Sequence, residues 1–147
     1  MKKFLKITGG LLVCVMAIAA AALLYVKLML PDVGAAPDIK VEATPDQVER
    51  GRYLANHVMV CMDCHSKRDW NHFAGPPVAG TEGMGGEVFG RHMGFPGQFV
   101  SSNITPSFLG DWSDGEIFRA ITSGVSKDGR ALFNTMTYHN FGTLDEE

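Results

Sequence analysis

Cys61, Cys64 and His65 are the residues whose types and spacing allow the most specific chemistry in this sequence. They stand together in Cys61-Met62-Asp63-Cys64-His65. Two thiols three residues apart share one helical turn, so each can form a thioether with one of the two vinyl groups on a porphyrin edge. The residue that follows places an imidazole within reach of the iron. The pattern predicts one covalently bound haem c, with His65 as a ligand to its iron. A bare Cys-x-x-Cys would also suit a redox dithiol or half a zinc site. The third cysteine, Cys14, lies inside an apolar run, so a second pair for a Cys₄ zinc site is missing, as is the βαβ context of a thioredoxin-like motif.

A second axial ligand has to come from the opposite side of the haem. Met59 and Met62 flank the attachment turn and cannot reach it. Met84 and Met93 lie in a glycine-rich loop region and are sterically able to do so, and His139 is an alternative. Met136, 71 residues after His65, lies in Phe133-Asn134-Thr135-Met136-Thr137-Tyr138, past the second predicted helix. A loop returning at that point can close over the haem, and we expect Met136 to be the ligand.

The elements that must position these residues are legible in part. Thr44, Pro45 and Gln47 form a capping-box start for a helix over about 45–58 that leads to the attachment turn. Ser113 and Glu116 start a second helix, stopped by Gly124. Between them, residues 66–102 are dense in Gly and Pro and leave little room for regular structure. Loops of that length are unusual in a small domain unless they wrap something that supplies its core. The run Gly80–Glu87 lacks the Gly-Lys-Ser/Thr ending of a phosphate loop and reads as an Ω-type loop along the haem edge.

Residues 7–26 carry no charge and are long enough to cross a hydrocarbon core of roughly 30 Å as a helix. Lys2, Lys3 and Lys6 precede the run, which places the N-terminus in the cytoplasm and the remainder outside. The apolar run is longer than a cleaved signal usually carries, which favours an uncleaved anchor. The expected organisation is a basic N-terminus over 1–6, a transmembrane anchor or signal over 7–30, a tether over 31–43, and a haem domain over 44–147. Four of the thirteen Lys and Arg precede residue 31, and all sixteen Asp and Glu follow it, so the remainder carries a net charge of −7. That balance argues against nucleic acid as a partner and suits one with a basic docking face.

With these residues in view, the stretch from about Arg50 to Tyr138 resembles the class I cytochrome c domains of bacterial membrane dehydrogenase cytochrome subunits. The matching blocks are Gly51-Arg52-Tyr53-Leu54-Ala55, the Cys61–His65 pentapeptide, Gly75-Pro76, Asn103-Ile104-Thr105-Pro106, Trp112-Ser113-Asp114-Gly115-Glu116 and Gly124–Phe133. The resemblance implies an all-α fold wrapped around one haem. Its Met-Pro-Tyr segment corresponds to Met136-Thr137-Tyr138, which carries the ligand role to Met136 with Thr137 in place of proline. It further implies that the Pro76 carbonyl accepts the His65 Nδ1 proton, and that Trp112 and Arg130 donate to the haem propionates. The family's closing C-terminal helix would begin at Leu144–Glu147, where this sequence ends, so the resemblance implies either a truncated sequence or a domain lacking a complete closing helix.

The function implied is one-electron transfer rather than catalysis. Partners would be a quinol-oxidising complex, a dehydrogenase or a terminal oxidase at the periplasmic side of the inner membrane. An electron-transfer subunit or fragment of a multi-haem dehydrogenase complex is the alternative. A peroxidase would need an open distal site with acid-base groups, and a sensor would bring a signalling module; neither feature is evident.

Overall fold

The computed structural model describes residues 1–144, about half of them helical. Helix α1 spans Lys2–Met29, none of its residues is buried, and it is long and apolar enough to cross a membrane. An apolar helix exposed along its whole length is stable only in an apolar solvent or against a partner.

Helix α2 covers Pro45–Tyr53. Its capping box is complete: the Thr44 side chain accepts from the Gln47 N–H, and the Gln47 side chain accepts from the Thr44 N–H. The helix then widens over Leu54–Val58, where the Met59 N–H reaches back five residues to the Leu54 carbonyl at 2.8 Å. Val60 follows at φ 47°, ψ 40° and breaks the axis. A β-branched residue in the left-handed region is costly, and here it immediately precedes helix α3, Cys61–Cys64.

The loop-rich middle contains one small ladder. Strands β1 (Val88–Phe89) and β2 (Phe99–Val100) pair antiparallel, with Val88 opposite Val100 and Phe89 opposite Phe99. The expectation of a purely helical domain is corrected to this extent. The glycine-rich flanks that argued against long elements still permitted a two-residue pairing, because Phe and Val suit a half-buried pleat. Helices α4 (Pro106–Leu109), α5 (Asp114–Ser123) and α6 (Tyr138–Phe141) follow. Helix α5 starts at the Ser113/Glu116 capping box and stops at Gly124, which takes φ 66°.

Part of the segment expected as a tether lies against α5. Gly115 of α5 faces Pro37 so closely that an added Cβ would overlap the Pro37 carbonyl. The Asp114 carboxylate accepts the Val41 N–H at 2.7 Å, and Arg119 donates to the Gly34 carbonyl at 3.4 Å. Residues 34–41 thus lie as a strap along α5. A glycine inside a helix costs about 1 kcal/mol relative to alanine, and the close approach of the strap gives Gly115 its physical reason. Of the expected closing helix, only Leu144 falls within the described residues; the remainder of its expected first turn lies outside them.

Candidate haem attachment site

Helix α3 brings three of the expected site residues together. The His65 N–H closes the turn on the Cys61 carbonyl at 2.9 Å, so Cys61, Cys64 and His65 share one helical turn. Both thiols are half-buried and neither is in a disulfide. Burial pushes both thiols above their usual pKa; the neighbouring Cys64 adds to this at Cys61, as does the Asp63 carboxylate at Cys64. A redox dithiol of the thioredoxin kind requires the opposite, a lowered pKa.

The His65 ring is held from the other side. Its Nδ1 lies 2.7 Å from the Ser102 carbonyl oxygen, so the proton sits on Nδ1 and Nε2 is left free as a ligand atom. The expected acceptor was Pro76. In the structure the Pro76 carbonyl instead accepts the Asp69 N–H at 2.9 Å, because residues 67–69 and 76–78 fold back on each other around an Arg68–Pro77 bridge.

Ser102 reaches His65 because Gly85 lies between the two chain segments. The Gly85 N–H donates to the His65 carbonyl at 2.8 Å, and the Gly86 N–H donates to the Ser101 carbonyl at 2.9 Å. Gly85 takes φ 67°, and an added Cβ would stand 2.5 Å from Ser101 O, Ser102 C and Ser102 O. Gly85, within the run Gly80–Glu87, is therefore a strut beneath the histidine.

Arg68 braces the same turn. Its guanidinium donates to the Asp63 carbonyl of α3 at 2.9 Å, to the Ala74 carbonyl at 2.6 Å and to the Gly75 carbonyl, and it lies 5.2 Å over the Trp70 ring. One half-buried cation thus ties α3 to the Ala74–Gly75 loop. Sequence reasoning missed Ser102, Gly85 and Arg68. The cluster of Gly83, Gly85 and Gly86 was a usable signal for a close approach. Ser102 acts through its backbone and leaves no residue-type signature.

Met136 sits on a separate segment. Ala131 bridges to Val125, and the Leu132 N–H donates to the Gly124 carbonyl at 2.7 Å. Downstream, the Tyr138 ring lies against Gly124, where an added Cβ would come within 2.6 Å of it. Both ends of the Met136 loop are therefore pinned at the end of α5. Arg130 is exposed, 4.0 Å from Asp128, and Trp112 is half-buried after α4. Among the described residues, no hydrogen bond joins Met136, Trp112 or Arg130 to α3.

The residues present fit a haem. Two buried hydroxyls, Ser66 beside His65 and Thr135 beside Met136, have no hydrogen-bond partner among the described residues, which suits a bound group that brings polar edges. Val125 is the one apolar residue fully buried among them, while Met84, Met93 and Phe133 stand about half exposed. A flat apolar group would cover such side chains and supply the missing core.

No protein-family profile matches the chain. It is 32% identical over 110 residues, 72% of its length, to the gluconate 2-dehydrogenase cytochrome c subunit of Pantoea cypripedii. It is also 32% identical over 103 residues, 67% of its length, to a nicotinate dehydrogenase subunit of Pseudomonas putida. The chain spans 22% of the first relative and 7% of the second. Its likeness is thus to a portion of each of two dehydrogenase subunits, the first of them a cytochrome c subunit by name.

Proposed function

We propose that this chain is a membrane-anchored one-electron carrier, with a single haem c bound through Cys61 and Cys64 and its iron ligated by His65 and Met136. The observation that carries the reading is α3: two neutral thiols and a histidine on one turn, with the histidine's Nδ1 proton held by the Ser102 carbonyl. That hydrogen bond fixes the imidazole's tautomer and makes Nε2 a stronger donor to a metal. Bound there, the haem supplies a one-electron iron couple. A thioether from Met136 would raise its potential, and Trp112 and Arg130 are the candidate donors to the propionates. Helix α1 would anchor the domain, with the Lys-rich end in the cytoplasm and residues 44–147 on the periplasmic side.

The partner we assign is a dehydrogenase in the same membrane, as electron donor. The names of the two relatives support this, and the net −7 of the region after residue 30 suits a basic docking face. The test is the full chain expressed with c-type maturation. Its haem should survive denaturing electrophoresis and run with the polypeptide, and Cys61→Ser with Cys64→Ser should abolish that staining. Persistent staining of the double variant would refute the attachment site.

A further inference from the structure

The two sides of the haem site share one short element. At its exit, β2 leads to Ser102, whose carbonyl holds the His65 ring at 2.7 Å. At its start, Phe99 stacks on Phe133 with centroids 3.7 Å apart and planes inclined by 16°. Phe133 lies three residues before Met136 and opens the loop that carries it. Phe95, from the turn of the same hairpin, lies 6.0 Å from Phe99 and 6.3 Å from Phe133, so the stack has an edge contact as well.

The element is braced between these two ends. Ser101 pairs with Glu87 through its N–H at 2.9 Å, and the Glu87 N–H returns to the Ser101 hydroxyl at 3.0 Å. A strand rises about 3.3 Å per residue, so Phe99 and Ser102 are separated by roughly 10 Å of stiffened backbone. The Met136 loop is otherwise pinned at its two ends to Gly124, by the Leu132 N–H and by the Tyr138 ring. Toward the hairpin, its face is held by the Phe133 ring.

We infer that Phe99 is a positioning residue for the methionine ligand: through Phe133 it fixes the approach of Met136, so that one hairpin sets both axial sides. This rests on the reading of Met136 as a ligand. It predicts that weakening the stack loosens the methionine without touching the covalent attachment or His65.

The experiment is imidazole binding to the ferric full chain, followed by the shift of its absorption spectrum. Imidazole competes with the methionine, so its apparent affinity reports how firmly Met136 is held. Losing one aromatic pair corresponds to roughly a two- to tenfold tighter apparent imidazole affinity. Phe99→Leu and Phe133→Leu should each give that shift, the double variant should give no more than either single change, and Phe99→Tyr, which keeps the ring, should restore the parent affinity. A general loss of stability would not give that pattern, because Phe99→Tyr and the double variant separate the ring pair from the packing around it. Unchanged affinity in both leucine variants, with Met136→Ala raising it strongly, overturns the role of Phe99 alone. Unchanged affinity in Met136→Ala overturns the ligand reading, and the inference with it.

Discussion

Replacing Gly85 by alanine tests the strut beneath His65. The new Cβ would stand 2.5 Å from Ser101 O, Ser102 C and Ser102 O, about 1 Å inside ordinary van der Waals contact. All three are backbone atoms, so the strand itself must retreat. Three hydrogen bonds depend on its position: Gly85 to His65 O at 2.8 Å, Gly86 to Ser101 O at 2.9 Å, and His65 Nδ1 to Ser102 O at 2.7 Å. Weakening two or three of them, at about 0.5–1.5 kcal/mol each, adds to the ~1–2 kcal/mol of an alanine at positive φ. The expected loss is about 2–6 kcal/mol.

Gly86 provides the internal control. It also takes positive φ, at 92°, but an added Cβ meets nothing within 4 Å. Gly86→Ala should therefore show the backbone term alone, about 1–2 kcal/mol. The assay is denaturant unfolding of both variants at unchanged slope, so that the midpoints report stability. Nuclear magnetic resonance of the His65 ring proton is the local readout, and it should exchange with solvent faster only in Gly85→Ala. Equal midpoint shifts in the two variants would refute the close-approach argument.

Two further outcomes follow from other parts of the molecule. Gly115→Ala should push the 34–41 strap off α5 and make it sensitive to limited proteolysis in the full chain, whereas Gly51→Ala, where an added Cβ meets nothing within 4 Å, should leave cleavage as it was. If Gly115→Ala leaves the cleavage pattern unaltered, the strap is not held by that contact. Asp128 is held below its ordinary pKa of 3.8, first by the Ser126 hydroxyl and then by the Arg130 N–H. Folding depresses this pKa, so the carboxylate contributes stability above pH 3.8 that is lost as pH falls through the lowered value. Asp128→Asn should accordingly destabilise the domain at neutral pH, and the gap to the parent should narrow as pH falls below 3.8. A gap in unfolding midpoint that does not narrow with falling pH would contradict that assignment.

Features that depend on neighbours along the chain could be read from residue order alone. A capping box needs two residues three apart, and both predicted boxes, Thr44 with Gln47 and Ser113 with Glu116, form as expected. The apolar length of α1 and the shared turn of Cys61, Cys64 and His65 are equally local, the first set by composition and the second by helical pitch. Which distant groups meet is a matter of packing. The acceptor for His65 is a backbone carbonyl 37 residues away, and any residue carries a carbonyl, so residue type could not separate Ser102 from Pro76. The strap on α5 and the Phe99–Phe133 stack are likewise long-range, joining segments more than thirty residues apart through a glycine that leaves room and a ring that fills it. The pentapeptide names its chemistry in the sequence. The hydrogen bonds that hold its histidine arise only when the glycine loop and β2 pack beneath it.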